Sequence, residues 1–501
     1  MALLNTRTCG ILLHPTSLPG PHGIGTLGAH ARGFVDFLHS AGQSVWQVLP
    51  LGPTGYGDSP YSALSPFAGN PLLIDLDDLA SQHLVDPADL SSSPPSTDRV
   101  DFGAVVGHKV PLLQRAAHRF LTSASPERRR AFEQFCHEQR YWLEDWALFS
   151  IAKSLHEGKS IHQWDEDIKR RTPLALDHLR NEFAERIALS SVIQFFFHDQ
   201  WTALRHYANS KGISILGDMP IFVAYDSDAV WANPRLFKLD DDLVPHVVAG
   251  VPPDYFAADG QLWGNPLYDW QRHAETGYAW WIERLQHALD QADLVRLDHF
   301  RGFEAAWEVP ADHPTARHGT WVKGPGDDFF HTLRARFNGL PFVAEDLGLI
   351  TDDVLALRDR HGLPGMFVLQ FGFTPGERRA HAPHRCVPNS VVYTGTHDND
   401  TTVGWFDSLP QASRRLVQAY LGTSGATIHW SMIRAAYQTV AHTVIVPVQD
   451  VLGLGSEARM NVPGIVGSNW SFRLTEQPHA AAATRLRELA DLFERLPDST
   501  G

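Results

Sequence analysis

Eight short apolar runs, many of them separated by segments with helical periodicity, constrain the fold of this chain more than any other feature. Each run is rich in β-branched or aromatic residues and ends at glycine or a polar cluster, which is typical of a strand buried in a parallel sheet. The eight runs are residues 9–14, 44–51, 213–219, 294–298, 341–346, 366–373, 390–396 and 443–450. Strands that alternate with helices in this way indicate the α/β class and predict a (β/α)8 TIM barrel.

Two intervals between the runs are too long for ordinary connections in this chain of 501 residues. Residues 60–210 contain several segments with helical periodicity, so we expect a mainly helical insertion subdomain there. Residues 219–293 are rich in glycine, proline and aromatic residues, and residues 250–270 within them predict a long loop that covers the functional site. Only one helical region, 480–496, follows the last run. We therefore expect a single barrel over residues 1–501, with no C-terminal β-sandwich.

The net charge indicates which partners the protein can bind, and the cysteine content indicates its cellular compartment. Acidic residues (57) outnumber basic ones (42), which gives a net charge of −15 at pH 7. A field of that sign repels phosphate backbones and anionic lipids, so we expect no nucleic acid and no membrane as partner. The three cysteines, Cys9, Cys136 and Cys386, are scattered, as is usual in a reducing compartment. No secretory signal and no apolar run of roughly 20 residues is present, so we expect a cytoplasmic protein.

Three acids, Asp298, Glu345 and Asp398, each lie at the end of a predicted strand. Since the strands of a parallel barrel all end at one edge, these carboxylates are expected to meet there. Such a trio suits glycosyl chemistry, in which a proton, a nucleophile and a developing cation are handled together. Any one acid at such a position is more commonly a helix cap or a turn residue. Three acids together favour a catalytic site.

The residues beside two of these acids predict different roles for them. Arg296 lies two positions before Asp298 in the same strand and therefore on the same face, where its guanidinium stabilises the ionised carboxylate that a nucleophile needs. Glu345 has Val343 on its own face and no basic neighbour nearby in sequence, which predicts a raised pKa and a general acid. This pair matches a retaining glycosidase-type mechanism, with the two carboxyl groups about 5–5.5 Å apart.

Further polar residues lie at the strand ends. Asp398 follows His397, and this third carboxylate is suited to stabilising positive charge or holding sugar hydroxyls in the transition state. Asp218 ends the 213–219 run and is either another site residue or a turn residue before a proline. His299 and His397 are expected to contact sugar or to pack, because the 27 histidines show no metal-ligand spacing. We therefore expect no metal.

The aromatic residues of segment 250–270 are candidates for binding a sugar. Tyr255, Phe256 and Trp263 offer flat apolar faces against which the C–H surface of a sugar can lie, and the nearby glycines allow the segment to bend over a long glucan. Alternatively, these rings pack the loop onto the barrel. If the loop also excludes water, it favours transfer of a glycosyl group to another sugar over hydrolysis.

Several long motifs resemble those of the amylomaltase (4-α-glucanotransferase) family, which is related to the α-amylases. The resemblance runs nearly end to end, and one difference is Thr26, where the family pattern has aspartate. The matching motifs are residues 14–25, 46–71, 217–231, 297–302, 343–348, 396–400 and 461–464. The resemblance implies a (β/α)8 barrel with insertions that transfers α-1,4-glucan segments through a β-glucosyl–enzyme intermediate.

The resemblance also assigns roles to single residues. It makes Asp298 the nucleophile, Glu345 the acid and base, and Asp398 the stabiliser of the transition state. It implies that maltooligosaccharides and other α-1,4-glucans are donors and acceptors, that glucose is an acceptor, and that no cofactor is needed. The residues it implies for binding the cleaved sugar are Tyr61, Asp218, Arg296, His397 and Asn469.

Three other interpretations fit part of the sequence. An α-glucan hydrolase on the same barrel differs only in whether water or a sugar takes the intermediate. A glucan-binding protein without activity would retain the aromatic residues but lack at least one of the three acids. The GIGTLG sequence at 23–28 fits a dinucleotide-binding motif, but it does not directly follow a strand and no acid lies at the required position.

Overall fold

The computed structural model describes residues 6–253, 258–337, 339–373, 379–465 and 467–497. Within them the chain forms twelve β-strands. They are β1 (Thr8–Leu12), β2 (Val45–Gln47), β3 (Ser214–Pro220), β4 (Val247–Val251), β5 (Gln261–Pro266), β6 (Leu294–Asp298), β7 (Ala305–Pro310), β8 (Thr320–Lys323), β9 (Phe342–Ala344), β10 (Gly365–Val368), β11 (Ser390–Tyr393) and β12 (Thr443–Pro447).

Eight of these strands form the predicted barrel, and every predicted run contributes one. All neighbours are parallel, in the order β10-β11-β12-β1-β2-β3-β6-β9. Where the two ends of the sheet meet, the amide of Ala344 donates to the carbonyl oxygen of Pro364 at 2.9 Å. The prediction of a (β/α)8 barrel is confirmed.

The observed strands are shorter than several of the predicted runs. The 366–373 run is a strand only to Val368 and continues as a 3₁₀ turn, Leu369–Phe373. The 443–450 run leaves the sheet after Pro447 and starts a short helix at Val448. Apolar content alone overestimates strand length, because the residues just beyond a strand are buried as well.

Helices surround the barrel and fill the interval 60–210. Those up to β3 are α1 (Ala29–Ser40), α2 (Leu76–Ser81), α3 (Phe102–Ser123), α4 (Pro126–Glu138), α5 (Leu143–Leu155), α6 (Glu166–Lys169), α7 (Pro173–Glu182) and α8 (Ala184–Ser210). The others are α9 (Asp228–Ala232), α10 (Trp270–Glu275), α11 (Ala279–Gln291), α12 (Gly326–Arg336), α13 (Asp352–Arg360), α14 (Thr402–Ser408), α15 (Gln411–Leu421), α16 (Ile428–Gln438), α17 (Val448–Leu452) and α18 (Ala480–Leu492). Among the described residues, no helix is both long and apolar enough to cross a membrane.

The interval 60–210 is mainly helical, as the sequence indicates, and it shares its core with the barrel. Phe120 of α3 packs against Phe195 and Phe196 of α8, with ring centroids 5.6 Å apart in both pairs. α8 then leads directly into β3 and contacts it. The same cluster of buried apolar residues continues into the barrel strands. A division into barrel and insertion subdomain remains a prediction.

A second sheet, which the sequence did not predict, lies after β3. Strands β5, β4, β7 and β8 pair antiparallel in that order. Part of segment 250–270 is therefore strand, since Gln261–Pro266 is β5. The period-two pattern is weak there, because glycine and proline interrupt the strands. The central pairing, β4 with β7, also joins segments more than 50 residues apart.

The end of the chain closes the amino-terminal side of the barrel through Arg495. Its buried guanidinium donates to the carbonyl oxygens of Thr8, Tyr437, Thr439, Ala441 and His442, at 3.0–3.1 Å. These hydrogen bonds join Arg495 to the first strand and to the segment that leads from α16 into β12, so we infer that Arg495 locks these parts of the barrel together.

We expect Arg495→Met to lower the free energy of unfolding by roughly 3 kcal/mol, because it removes five hydrogen bonds made by a buried guanidinium. Chemical denaturation at 25 °C measures the change. The control is Arg487→Met on the exposed face of α18, for which we expect a change within about 0.5 kcal/mol. Equal stability of the two variants would contradict the proposed lock.

Candidate active site

The predicted catalytic acids lie at the carboxyl edge of the barrel, on or just after neighbouring strands. Asp298 is the last residue of β6, and Glu345 directly follows β9. The main chains of the two strands are joined there, since the Glu345 amide donates to Leu297 and the Phe300 amide donates to Glu345. Asp398 lies in the segment between β11 and α14. The barrel thus places the three acids at one edge.

Arg296 connects two carboxylates at this edge. Strand register places it directly opposite Asp218 across the β3–β6 pair. Its Nη1 donates to both carboxylate oxygens of Asp218 at 2.8 and 2.7 Å, and its Nη2 donates to Oδ1 of Asp298 at 2.7 Å. Burial lowers the pKa of Arg296, but the charges of Asp218 and Asp298 prevail and hold that pKa well above its ordinary value. The predicted contact between Arg296 and Asp298 is confirmed, and Asp218 shares the same guanidinium.

Glu345 has the opposite environment. Burial, and second to it the charge of Asp298, raises the pKa of Glu345 to about 8. Its Oε2 accepts the amide of His299 at 2.7 Å and its Oε1 accepts the amide of Leu347 at 2.9 Å. His299 itself lies in the left-handed region, with a φ of 52°. The predicted rise in pKa is confirmed, so this carboxyl still carries its proton at neutral pH.

Asp398 is the most exposed of the three acids, with 45% of its side chain accessible. Its Oδ1 accepts a hydrogen bond from Nδ2 of Asn461 at 2.6 Å and lies 3.3 Å from Nε2 of His397. Its main-chain carbonyl oxygen accepts Nη2 of Arg459 at 2.6 Å. Asn461 and Arg459 were not predicted as site residues, although Asn461 opens the NVPG motif. Asn461 and Arg459 thus hold Asp398 in place, and both lie in the segment that follows α17.

Aromatic rings form one wall of the site. The hydroxyl of Tyr61 donates to Oδ2 of Asp218 at 2.7 Å, and its ring stacks on His397 with centroids 4.9 Å apart. Trp470 lies against both rings, at 5.7 and 5.8 Å. Its φ of 63° is left-handed, which costs a non-glycine residue about 1 kcal/mol. Tyr61 and His397 are thus at the site as predicted, and Trp470 is an addition that only the folded chain reveals.

A second pair of rings is formed by Trp263 of β5 and His299. Their rings meet edge to face with centroids 4.7 Å apart, and Trp263 is 38% exposed. Burial lowers the pKa of His299 to about 4, so its imidazole is neutral at pH 7. These two predicted binding residues therefore lie beside Asp298 and Glu345. Tyr255 and Phe256, predicted with them, lie outside the described residues.

The side chain of Asn469 bonds to the neighbouring main chain. Its Oδ1 accepts the amide of Val462 at 3.1 Å, and its Nδ2 donates to the carbonyl oxygens of Val462 and Ile465. These bonds brace the turn that follows Asn461. Binding of a sugar by Asn469 stays a prediction.

The site offers no cluster for a metal. Among the residues that the structure describes, no three histidine, cysteine, aspartate or glutamate side chains are grouped so that they could hold an ion. The site contains an ion-paired carboxylate (Asp298), a protonated carboxyl (Glu345) and a half-exposed carboxylate (Asp398), with aromatic rings beside them. This arrangement can support acid, base and nucleophilic chemistry on a neutral substrate.

Comparison with known proteins identifies close relatives. A sequence model of the 4-alpha-glucanotransferase family matches residues 13–478. The 4-alpha-glucanotransferase of Thermus thermophilus is 49% identical over 501 residues, which cover 98% of this chain and 99% of the relative. That of Synechocystis sp. is 48% identical over 476 residues, 94% of both chains.

Solved structures agree with these relatives. The amylomaltase from Streptococcus agalactiae in complex with acarbose superposes with a TM-score of 0.95 at 39% identity, covering 98% of this chain and all of that one. The amylomaltase from Corynebacterium glutamicum gives a TM-score of 0.78 at 17% identity, over 99% of this chain and 76% of that one, which shows a shared fold.

We expect Asp298→Asn to lower the pKa of Glu345 from about 8 but to leave it above 4.5, because the charge of Asp298 is removed and the burial remains. Carbon-13 NMR of protein labelled at the glutamate carboxyl groups measures this titration, and Glu345→Gln assigns the resonance. Asp312→Asn, an exposed change, is the control and should leave the titration unaltered. A Glu345 that titrates near 4.5 in the unaltered protein would contradict the assignment.

Proposed function

The chain belongs to the 4-alpha-glucanotransferase family, and from that premise we propose how its acids carry out the transfer of α-1,4-glucan segments. The protein is a 4-α-glucanotransferase of the amylomaltase type. The observation that supports the residue roles best is the contrast between two neighbouring acids. Asp298 is paired with a buried guanidinium, whereas Glu345 is held protonated. Two carboxyl groups in opposite states are what a retaining double displacement requires.

In the first half of the reaction, Asp298 acts as the nucleophile and Glu345 as the acid. A carboxylate oxygen of Asp298 attacks C1 of the donor glucose while the bond from C1 to the glycosidic oxygen breaks. Glu345 gives its proton to that oxygen, which leaves as the 4-hydroxyl of the departing glucan. Arg296 holds Oδ1 of Asp298, so we assign the attack to Oδ2. The product is a β-glucosyl ester on Asp298.

In the second half, Glu345 acts as the base. It takes the proton from the 4-hydroxyl of the acceptor, whose oxygen attacks C1 of the ester. The bond between C1 and Asp298 breaks, the carboxylate is restored, and a new α-1,4 bond forms. Two inversions at C1 give net retention. We propose maltooligosaccharides and longer α-1,4-glucans as donors and acceptors, with glucose as the smallest acceptor.

Asp398 and its neighbours bind the sugar that is being transferred. Oδ1 of Asp398 is held by Asn461, which leaves Oδ2 for the hydroxyls of that sugar and for the positive charge of the transition state. Tyr61 and His397 form the stacked wall beside it. The bidentate contact of Asp218 with Arg296 keeps the floor of the site rigid.

Transfer prevails over hydrolysis when an acceptor is held in place and water is excluded. Trp263 and His299 flank the acids with one exposed and one half-buried ring, and we assign them to the acceptor side, together with Tyr255 and Phe256. A cytoplasmic location also remains a proposal, and the three unpaired cysteines support it.

Incubation of the purified protein with maltotriose tests the reaction directly. Because the donor also serves as acceptor, we expect glucose together with a ladder of longer maltooligosaccharides, measured by chromatography, at a constant number of reducing ends. Accumulation of maltose and glucose with new reducing ends would instead mean that water takes the intermediate.

We expect Asp298→Asn to reduce turnover of maltotriose by at least about 10⁴-fold, because the amide cannot form the glucosyl ester. Its circular dichroism spectrum should remain that of the unaltered protein. Asp312→Asn, on the surface, should keep full turnover. An Asp298→Asn variant with turnover within tenfold of the unaltered enzyme would contradict its role as the nucleophile.

A further inference from the structure

Another acid at the carboxyl edge of the barrel, Asp450, takes no part in the reaction described above. It lies in α17, three residues after the end of β12, and is 1% exposed. Burial raises the pKa of Asp450, and the hydrogen bonds that it accepts oppose this rise. An acid this deeply buried is costly unless its oxygens are satisfied, so its partners indicate what it does.

The partners of Asp450 are the two ends of one segment. Its Oδ2 accepts the hydroxyls of Thr394 and Thr402, and its Oδ1 accepts the amide of Thr402, all at 2.6 Å. Thr394 directly follows β11, and Thr402 is the first residue of α14. Distances this short are typical of hydroxyls that donate to an ionised carboxylate. One buried side chain therefore clamps the start and the end of segment 394–402.

That segment carries His397 and Asp398. Its interior turn is closed by Asn399, whose Oδ1 accepts both the amide and the hydroxyl of Thr396 at 2.9 Å. From the barrel side, Nε2 of Gln370 donates to the carbonyl oxygen of Asp400 at 2.8 Å. With both ends clamped and the turn closed, the position of Asp398 is coupled to that of Asp450.

We propose that Asp450 is a positioning residue, which sets the location of Asp398 and His397 against the transferred sugar by holding both ends of segment 394–402. This inference rests on the proposed function, because it gives Asp398 the role of stabilising the transition state. A displacement of about 1 Å of such a group costs about 10²-fold in rate. A purely structural acid would instead affect stability without a specific effect on the step that depends on Asp398.

The test is a double-mutant cycle between Asp450 and Asp398, with initial rates of maltotriose turnover measured over a range of substrate concentrations, well below the unfolding temperature. We expect Asp450→Ala to lower kcat about 10²-fold with KM within a few fold. In the Asp398→Asn background, the same change should cost less than about threefold, because the group that it positions has already been removed.

Two variants control for folding. Asp450→Asn keeps the size and the hydrogen-bonding capacity of the side chain, since threonine hydroxyls can accept as well as donate, and should regain most of the lost kcat. Leu486→Ala removes a fully buried side chain from α18, far along the chain from the segment. It should lower the unfolding temperature while kcat stays within about twofold.

If Asp450→Ala does not fold, Thr402→Val takes its place, since it removes one hydroxyl from the clamp and keeps the amide bond. We expect its kcat to fall about tenfold in the unaltered background and to be unchanged when Asp398 is already asparagine. The proposal is overturned if the clamp variants keep full kcat, if their losses multiply with that of Asp398→Asn, or if Leu486→Ala loses kcat equally. Full turnover in Asp398→Asn alone would contradict the proposed function, and thereby the clamp as well.

Discussion

The buried guanidinium of Arg296 is the interaction on which the rest of the site depends. Barrel register places it opposite Asp218, and the two-residue period of the strand places it on the same face as Asp298. Removing one partner of a buried ion pair leaves an uncompensated charge, which typically costs about 3–5 kcal/mol. The three side chains therefore form one unit, which holds Asp298 in place at the barrel edge.

Glu345, the second acid, differs from Asp298 in that its carboxyl group stays protonated. Glu345 lies next to the charge of Asp298 in a buried position, and both effects oppose its ionisation. The amides of His299 and Leu347 aim its two oxygens without supplying a positive charge. The edge of two neighbouring strands thus holds one carboxylate against a guanidinium and another carboxyl neutral, an arrangement that suits nucleophile and acid in one reaction.

Support for the third acid comes from farther along the chain. Asp450 accepts hydrogen bonds from both ends of the segment that carries Asp398, and Asn461 donates to Asp398 itself. Neither of these two residues is near Asp398 in sequence. The aromatic walls are assembled in the same way, with Trp470 against Tyr61 and Trp263 against His299. A barrel edge can collect such residues because every strand and every following loop ends there.

The sequence by itself determined the eight barrel strands, the three acids and the pairing of Arg296 with Asp298, because each depends on short-range periodicity or on the direction of a buried strand. Only the tertiary structure decided the antiparallel second sheet and the roles of Asn461, Trp470 and Asp450. Asn461 bonds to an acid 63 positions away, and Asp450 bonds to threonines 48 and 56 positions away. Contacts at such separations form only once the barrel has closed, so local sequence patterns do not predict them.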